Sequence, residues 1–358
     1  MPVVTARADV AAARPLSIAV IGAGVAGAAC ARGLLEAGHD VRVFDKGRGP
    51  GGRCSTRSAD NDRRFDHGAP CFTVADDGFA RLVEGWRAEG LVVRWTPRMA
   101  STSSSSSSSS SSRAQADRWI AQPAMSALLH RMLVGVPVTF NAPVVQIARA
   151  ASDDDRFVCI GAAAEPLGTF DAVVVAVPAP QAATLLTEVA PALAAQARTA
   201  VMRATWALLL DYDGAGPDVD FDVAEVRGRP LRFAAREASK PGRRAGARWV
   251  LHGTAVDDND PAGATVPPLR TDDTAARASE VLLAEFVALA GNTAAHPSLQ
   301  QAHLWRYAFV ERPVGRDCLV SDDARVIACG DWCVGPRVEA AYLSGMAAAR
   351  RLLSSSSS

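Results

Sequence analysis

The sequence contains few lysines and no excess of charge of either sign. Its 38 lysine and arginine residues balance its 38 aspartate and glutamate residues, so the formal net charge is zero. Nucleic-acid-binding proteins usually carry a basic excess that neutralises phosphates, and the balance argues against such a partner. Only Lys46 and Lys240 are lysines, and every other residue among those 38 basic ones is an arginine.

Long apolar runs and paired cysteines are also missing. The longest apolar runs are shorter than the roughly 18 residues that a membrane-spanning helix needs, and Met1 to Pro15 lacks the apolar core of a signal peptide. The seven cysteines include no CxxC pair and no Cys/His cluster with zinc-finger spacing, which argues against a disulfide framework and a metal site. We therefore expect a cytoplasmic protein with reduced thiols, without metal and without a membrane partner.

The order of the predicted elements indicates an α/β fold. A continuous apolar strand at Ser17–Gly22, a helix from about Val25 and a second strand at Val41–Asp45 form a βαβ start. The middle of the chain has the pattern of an antiparallel sheet and includes a long helix from Thr271, with Thr271 or Asp272 as its cap. A strand and a helix close the chain. We predict a Rossmann-type domain built from both ends of the chain, with an inserted α+β substrate domain on a mostly antiparallel sheet.

The predicted domain boundaries follow from these patterns and from the length of 358 residues, which exceeds one ordinary core. The nucleotide-binding domain comprises residues 17–80, 135–180 and 311–353, and the substrate domain residues 81–134 and 181–310. Serine runs bury nothing and cannot offset the entropy of ordering, so we predict a disordered loop at 101–112 and a disordered tail at 354–358. Residues 1–16 are predicted to form a flexible extension.

A glycine-rich turn follows the first strand directly. The GxGxxG motif comprises Gly22, Gly24 and Gly27, with Val25 and Ala26 inside it. The first glycine permits a tight turn, the second lets backbone approach a pyrophosphate, and the third allows close helix–strand packing. The helix N-terminus supplies N–H groups to the phosphates. Asp45 ends the second strand where a ribose-binding carboxylate is expected.

A second glycine pair favours FAD over NAD. The Gly51-Gly52-Arg53 run follows Asp45 closely, where an NAD enzyme usually continues into a helix. Backbone there can lie against the second part of a longer cofactor, and Arg53 can face its phosphates. Further candidate contacts on this loop are Lys46, Ser55 and Thr56.

The run from Asp45 to Thr56 resembles the second flavin-binding signature of the amine-oxidase and glutathione-reductase-like FAD superfamily. Residues 65–69, Phe-Asp-His-Gly-Ala, resemble the segment that follows it in renalase-like bacterial FAD oxidoreductases. Cys329-Gly330-Asp331-Trp332 and the run from Arg337 to Ala340 are similar to the C-terminal FAD motif. The resemblance spans Ser17 to Leu353 and implies non-covalent FAD in a glutathione-reductase-like domain.

The resemblance also implies roles for residues outside the glycine loops. Asp331, expected at a strand end, would accept hydrogen bonds from the ribityl hydroxyls. The helix beginning near Arg337 would direct N–H groups at the pyrimidine edge of the flavin, where its dipole favours negative charge. The backbone of Val144 would hold adenine, although an ordinary strand valine is an equal alternative. The remaining implied contacts are Ala69, Gly330 and Val338.

Two departures from the family pattern lie close to these motifs. Pro70-Cys71 stands where the family usually has Gln-Tyr, and Cys54 replaces a methionine. If the first segment lies along the flavin ring, an amide and a phenol are missing there. The departures predict an altered substrate preference or weakened activity.

Catalytic side chains are harder to assign, because hydride transfer to flavin needs positioning more than acid–base chemistry. The candidates are His67, Lys240, Trp305 and Tyr307. His67 lies in the segment near the flavin, with a backbone-bonded loop histidine as the alternative. Lys240 could act as the lysine that amine oxidases often hold near flavin N5, with a solvated loop as the alternative. Trp305 and Tyr307, with Arg306 between them, would provide aromatic walls and a cation for a flat or anionic substrate. A buried strand with a snorkelling arginine is the alternative.

The resemblance implies an FAD-dependent oxidase that takes a hydride onto flavin N5, passes electrons to O₂ and releases H₂O₂. Its renalase-like part implies that the substrates are misreduced isomers of NADH or NADPH. Two alternatives stay open: an oxidase or dehydrogenase of small amines, and an FAD-binding protein with little catalytic activity. The second glycine pair disfavours a plain NAD-dependent dehydrogenase. The chain could be a monomer or a homodimer.

Overall fold

The computed structural model describes residues 14–59, 63–100, 117–151, 155–214, 216–256, 269–291 and 296–355. The predicted loop at 101–112 lies outside these ranges, as do residues 1–13 of the predicted extension and 356–358 of the predicted tail. The prediction of a disordered tail is wrong for Ser354 and Ser355, because the last helix ends at Ser355. Both hydroxyl groups donate to carbonyl groups one turn earlier in that helix, which extends it into the serine run.

The described part of the chain folds into strands and helices, each numbered in chain order. The strands are β1 Ser17–Ile21, β2 Asp40–Phe44, β3 Arg57–Ser58, β4 Arg64–Phe65, β5 Val92–Trp95, β6 Arg118–Ala121, β7 Val138–Thr139, β8 Val144–Arg149, β9 Phe157–Gly161, β10 Pro166–Phe170, β11 Ala172–Val175, β12 Val201–Tyr212, β13 Val223–Glu225, β14 Leu231–Arg236, β15 Ala247–Gly253, β16 Leu299–Arg312, β17 Leu319–Val320 and β18 Val326–Ala328. The helices are α1 Val25–Glu36, α2 Asp77–Ala88, α3 Ala127–Met132, α4 Ala179–Leu186, α5 Pro191–Ala197, α6 Ala275–Leu289, α7 Asp331–Val334 and α8 Val338–Ser355. Two short 3₁₀ turns cover Gly52–Cys54 and Glu237–Ser239.

The first sheet has six strands in the order β17-β18-β11-β1-β2-β7. All neighbours are parallel except β17 and β18. Alternate residues of β1 enter two separate apolar cores, with Ile18 and Val20 on one face and Ala19 and Ile21 on the other. Burial on both faces explains why this strand is a continuous apolar run. The predicted α/β fold with a Rossmann-type sheet is confirmed.

The second sheet has five antiparallel strands in the order β13-β14-β15-β12-β16. Helix α6 covers one face, where Leu282 and Phe286 pack into the same core as Trp249 and Leu251. On the opposite face, Leu209 and Val250 pack with Phe65 of β4. This second face is turned toward the segment that follows β4.

The predicted cap of the long helix is wrong. Helix α6 begins after Thr274, whose hydroxyl oxygen accepts a hydrogen bond from the backbone N–H of Arg277 at 3.1 Å. The acidic residues just before it hold a turn instead, because Asp273 accepts from the backbone N–H of Arg270 at 2.7 Å. None of the described helices is long and apolar enough to cross a membrane.

Candidate active site

The first glycine loop, residues 22–27, joins the end of β1 to the start of α1. A side chain at Gly27 would collide with the carbonyl oxygen of Gly22, so α1 can pack here only through glycine. A Cβ atom at Gly24 would lie more than 4 Å from every atom of the described residues that surround it. Gly24 is the N-cap of α1, and no side chain in the described part of the chain caps that end. The loop therefore leaves open space in front of a helix N-terminus.

The second glycine loop lies directly against the first. The backbone N–H of Gly51 donates to the carbonyl of Ala23 at 3.3 Å, and a Cβ atom at Gly52 would lie 3.5 Å from Cα of Gly24. Two loops that are separate in sequence thus form one glycine-lined cradle. Ser55, at the end of this loop, is half-buried.

Asp45 holds the two loops together. Its carboxylate accepts from the backbone N–H groups of Ala23 and Gly47, both at 2.6 Å. Each carboxylate oxygen keeps further acceptor capacity, so the predicted contact with a ribose stays possible. The backbone of Ala142 donates to the carbonyl of Asp45 at 2.9 Å, which brings the start of β8 and Val144 beside this end of the cradle. Lys46 is exposed.

The C-terminal motif reaches the cradle through an ion pair. Arg53 donates two hydrogen bonds to the carboxylate of Asp331, at 2.7 and 2.6 Å. Asp331 is buried, with 6 % of its surface exposed. The prediction that it lies at a strand end is wrong: β18 ends at Ala328, and Asp331 is the first residue of α7.

The start of α8 is tied to the rest of the fold by Glu339, which lies within the C-terminal motif but was given no role by the sequence. Val338 opens the helix, and Glu339 in its first turn is buried. The Glu339 carboxylate accepts from the backbone N–H groups of Ala75 and Asp76, both at 2.7 Å. Arg337 is exposed, and Gly330 donates its N–H to the hydroxyl of Ser344 at 3.0 Å.

Hydrogen bonds and one close backbone contact hold successive residues of segment 66–69 in place. The carbonyl of His67 accepts from His252 Nε2 and from Trp305 Nε1, both at 3.0 Å. A side chain at Gly68 would collide with the carbonyl oxygen of Arg53, and that oxygen accepts from the N–H of Ala69 at 2.7 Å. The segment therefore runs between the antiparallel sheet and the glycine cradle.

Three rings form a cluster on the sheet face that is opposite to α6. The ring centres of His67, His303 and Trp305 lie 4.6 to 5.1 Å apart. Burial, followed by repulsion from His303 and Arg57, lowers the pKa of His67 to about 3. Burial lowers the pKa of His303 as well, with Arg57 adding to the effect. Both imidazoles are thus neutral near pH 7, and Nδ1 of His67 is buried without a hydrogen-bond partner among the described residues.

Lys240 does not lie in a solvated loop, so that alternative is wrong. Its side chain is fully buried, and Nζ donates to Asp66 Oδ2 at 2.9 Å and to Glu237 Oε1 at 2.8 Å. Arg243 adds a third contact, donating to Asp66 Oδ2 at 2.8 Å. We call Asp66, Glu237, Lys240 and Arg243 the Lys240 cluster. Whether Lys240 also acts beside flavin N5 stays a prediction.

Two further predicted residues lie at the margin of this region. Tyr307 is half-buried on β16, two positions beyond Trp305, and the ring contacts of the described residues do not include it in the ring cluster. Cys71, one of the departures from the family pattern, is half-buried and packs against the core that contains α1. Among the described residues, no group of His, Cys, Asp and Glu is arranged to hold a metal ion.

Two protein-family models match the chain. The family model of the NAD(P)-binding Rossmann-like domain matches residues 20–84, and that of the flavin containing amine oxidoreductases matches residues 76–353. The chain belongs to the flavin-containing amine oxidoreductase family. It is therefore an FAD-dependent oxidoreductase by family.

Individual proteins are similar to this chain over a short stretch of sequence or in their fold. A zeta-carotene-forming phytoene desaturase from Myxococcus xanthus is 54 % identical over 43 residues, which is 12 % of this chain and 8 % of the desaturase. Cyclohexylamine oxidase from Brevibacterium oxydans IH-35A has a TM-score of 0.69 at 13 % identity, covering 95 % of this chain and 99 % of the oxidase. A CLA-producing fatty acid isomerase from P. acnes has a TM-score of 0.65 at 12 % identity, covering 94 % of this chain and 98 % of the isomerase. At such low identity these structures show a shared fold.

The residues of this amine oxidoreductase fit FAD. The open space at Gly24, in front of an uncapped helix, suits a pyrophosphate. Arg53, Asp331 and segment 66–69 continue from that cradle toward the ring cluster. The candidate site thus extends from the glycine cradle to the ring cluster.

Proposed function

We propose that this amine oxidoreductase oxidises misreduced isomers of NADH or NADPH, as renalase-like enzymes do. Held by the glycine cradle with Arg53 and Asp331 beside it, FAD would supply a hydride acceptor for the substrate carbon and a source of two electrons for O₂, which with two protons becomes H₂O₂. The single observation that carries the proposal is the cluster formed by the rings of His67, His303 and Trp305. The cation of Arg57 lies near enough to add to the effect of burial in lowering the pKa of both histidines.

The charges near the ring cluster favour an anionic substrate. The nearby carboxylate of Asp66 is almost fully buried and is neutralised by Lys240 and Arg243. The charge of Arg57 is left without a matching carboxylate among the ion pairs of the described residues. A dinucleotide pyrophosphate is attracted to such a site, whereas a protonated amine is repelled.

The rings suit a flat substrate. Trp305 and the neutral imidazoles of His67 and His303 offer faces and edges on which a dihydronicotinamide can stack. Because both histidines are neutral, they add no charge that would oppose the hydride donor. Oxidation of the dihydronicotinamide ring to the aromatic nicotinamide releases one hydride and needs no base, so the chain's task is to bind and orient that ring.

Oxidation of small amines is the second candidate. It is favoured by the fold shared with cyclohexylamine oxidase and by an aromatic cluster that can enclose an apolar amine. A neutral amine would have to be bound from the small unprotonated fraction, because Arg57 disfavours the cation.

Anaerobic mixing separates the two functions. We expect misreduced NADH isomers to bleach the flavin absorbance of the holoenzyme, and small primary amines to leave it unchanged. Arg57→Gln should weaken binding of the dinucleotide about tenfold, whereas Arg64→Gln, an exposed arginine of the same hairpin, should not. Bleaching by amines alone would refute the proposal, and bleaching by neither would favour an FAD-binding protein with little catalysis.

A further inference from the structure

The Lys240 cluster is a charge-balanced group in the interior of the protein. Its two carboxylates and two cationic side chains each expose 5 % of their surface or less. Burying charges costs desolvation energy, and apolar side chains of similar size often give an equally stable core. A buried cluster is therefore better explained by what it positions than by stability alone.

The carboxylate of Asp66 accepts hydrogen bonds from four donors. Its Oδ1 atom accepts from the Thr56 hydroxyl at 2.7 Å and the Met125 N–H at 3.0 Å. Its Oδ2 atom accepts from Lys240 and Arg243. Although burial alone would raise it, these cations hold the pKa of Asp66 well below its usual range. The carboxylate is therefore ionised and has no freedom to turn.

Lys240 is constrained as closely as Asp66. Besides its two carboxylate partners, its Nζ atom lies 5.8 Å from the centre of the Trp95 ring, a cation–π contact. Glu237 also accepts from the backbone N–H of Asp66 at 3.3 Å. The turn that follows β14 is thereby fixed to the first residue of segment 66–69.

The contacts continue from Asp66 to the glycine cradle. Segment 66–69 begins at Asp66 and ends at Ala69, whose N–H donates to the carbonyl of Arg53. Arg53 in turn holds Asp331. We propose that Lys240 is a positioning residue that, through Asp66, sets the location of segment 66–69 against the FAD-binding loops. The proposal rests on the FAD site and not on which substrate is oxidised.

The test uses a charge-balanced variant of the holoenzyme. Lys240→Met alone would leave an uncompensated buried carboxylate and could prevent folding. Lys240→Met/Glu237→Gln removes one charge of each sign and leaves Asp66 paired with Arg243. We expect a folded protein with a shifted flavin absorbance spectrum, a changed FAD midpoint potential in a dithionite titration, and about tenfold weaker binding of FAD.

Leu282→Ala provides the matched control. Leu282 is fully buried under α6 on the opposite face of the sheet, so the change lowers stability without touching segment 66–69. It should lower the melting temperature and leave the flavin spectrum and potential unchanged. Because dithionite reduces the flavin directly, the measurements do not depend on the substrate proposed above.

Three results would overturn the positioning role. The first is a folded double variant with the wild-type spectrum, potential and FAD affinity. The second is a double variant that is unfolded, because the cluster would then hold the whole fold and not one segment. The third is an equal change of the flavin signals in Leu282→Ala, which would trace them to general destabilisation.

Discussion

Arg53 and Asp331 are 278 positions apart in the chain and are joined by two parallel hydrogen bonds of 2.7 and 2.6 Å. One belongs to the second glycine loop and the other opens the short helix α7. The pair therefore joins the N-terminal and C-terminal parts of the chain at the candidate site. A planar guanidinium facing a carboxylate is the geometry in which arginine cannot be replaced by lysine without loss.

Breaking this pair should weaken FAD binding. In Arg53→Met, Asp331 stays buried without its partner, which costs about 2 kcal/mol of stability. We expect at least about tenfold weaker FAD binding, measured by fluorescence titration of the apoprotein. Arg87→Met, which breaks an exposed pair with Glu84 on α2, is the control and should change neither quantity. Wild-type FAD affinity in Arg53→Met would contradict the role of the pair.

Substitutions at two glycines of the GxGxxG motif should have different effects. Gly24 faces open space, so Gly24→Val should fold but exclude the cofactor from the loop. Gly27 has the Gly22 carbonyl against it, so Gly27→Ala should destabilise the protein whether or not FAD is present. Melting temperatures with and without added FAD distinguish the two. A Gly24→Val protein that retains one FAD per chain would refute the phosphate-loop assignment.

The buried histidines predict a loss of stability in mild acid. Burial lowers the pKa of His67 to about 3 and that of His252 to about 4, from an ordinary value of 6.5. When the pH is below 6.5, these histidines bind protons in the unfolded chain but stay unprotonated in the folded chain. Each histidine therefore lowers the free energy of unfolding by about 1.4 kcal/mol per pH unit as the pH falls from the ordinary pKa toward the depressed one.

His252→Gln tests this origin of the pH dependence. Glutamine can still donate a hydrogen bond to the His67 carbonyl, but it does not titrate. Urea unfolding at about pH 7 and about pH 5 should show a smaller loss of stability in the variant than in the wild type. Equal losses in the two proteins would show that His252 does not contribute.

Substitutions of Trp305 separate its ring from its N–H group. Trp305→Phe keeps an aromatic face and loses one of the two donors to the His67 carbonyl, which should cost about 1 kcal/mol of stability. Trp305→Ala also removes the face on which a substrate would stack. We expect substrate binding about tenfold weaker than that of Trp305→Phe, measured by anaerobic titration. Equal substrate affinities in the two variants would place the substrate elsewhere.

Local patterns in the sequence predicted the parts of the site that depend on nearby residues. The turn at Gly22–Gly27 needs glycine for steric reasons that are visible within six positions, and the strand before it is apolar on both faces. Helix α5 was not predicted, although Pro191 at its first position is an available signal. The domain boundaries stay a prediction.

The parts that could not be predicted depend on contacts between distant residues. Nothing near Lys240 in sequence indicates that Asp66 neutralises it, and the basic residues beside it suggested a solvated loop. Glu339 is similar, because its partners are backbone N–H groups of a different segment. Local spacing carries no information about such pairs, since they form only when distant segments of the chain come together.

The content of FAD in the purified protein tests the account most directly. We predict a flavin absorbance band and the release of one FAD per chain on denaturation, because one cradle built from both ends of the sequence holds the cofactor without a covalent bond. A folded chain that is colourless and takes up no added FAD would contradict the account.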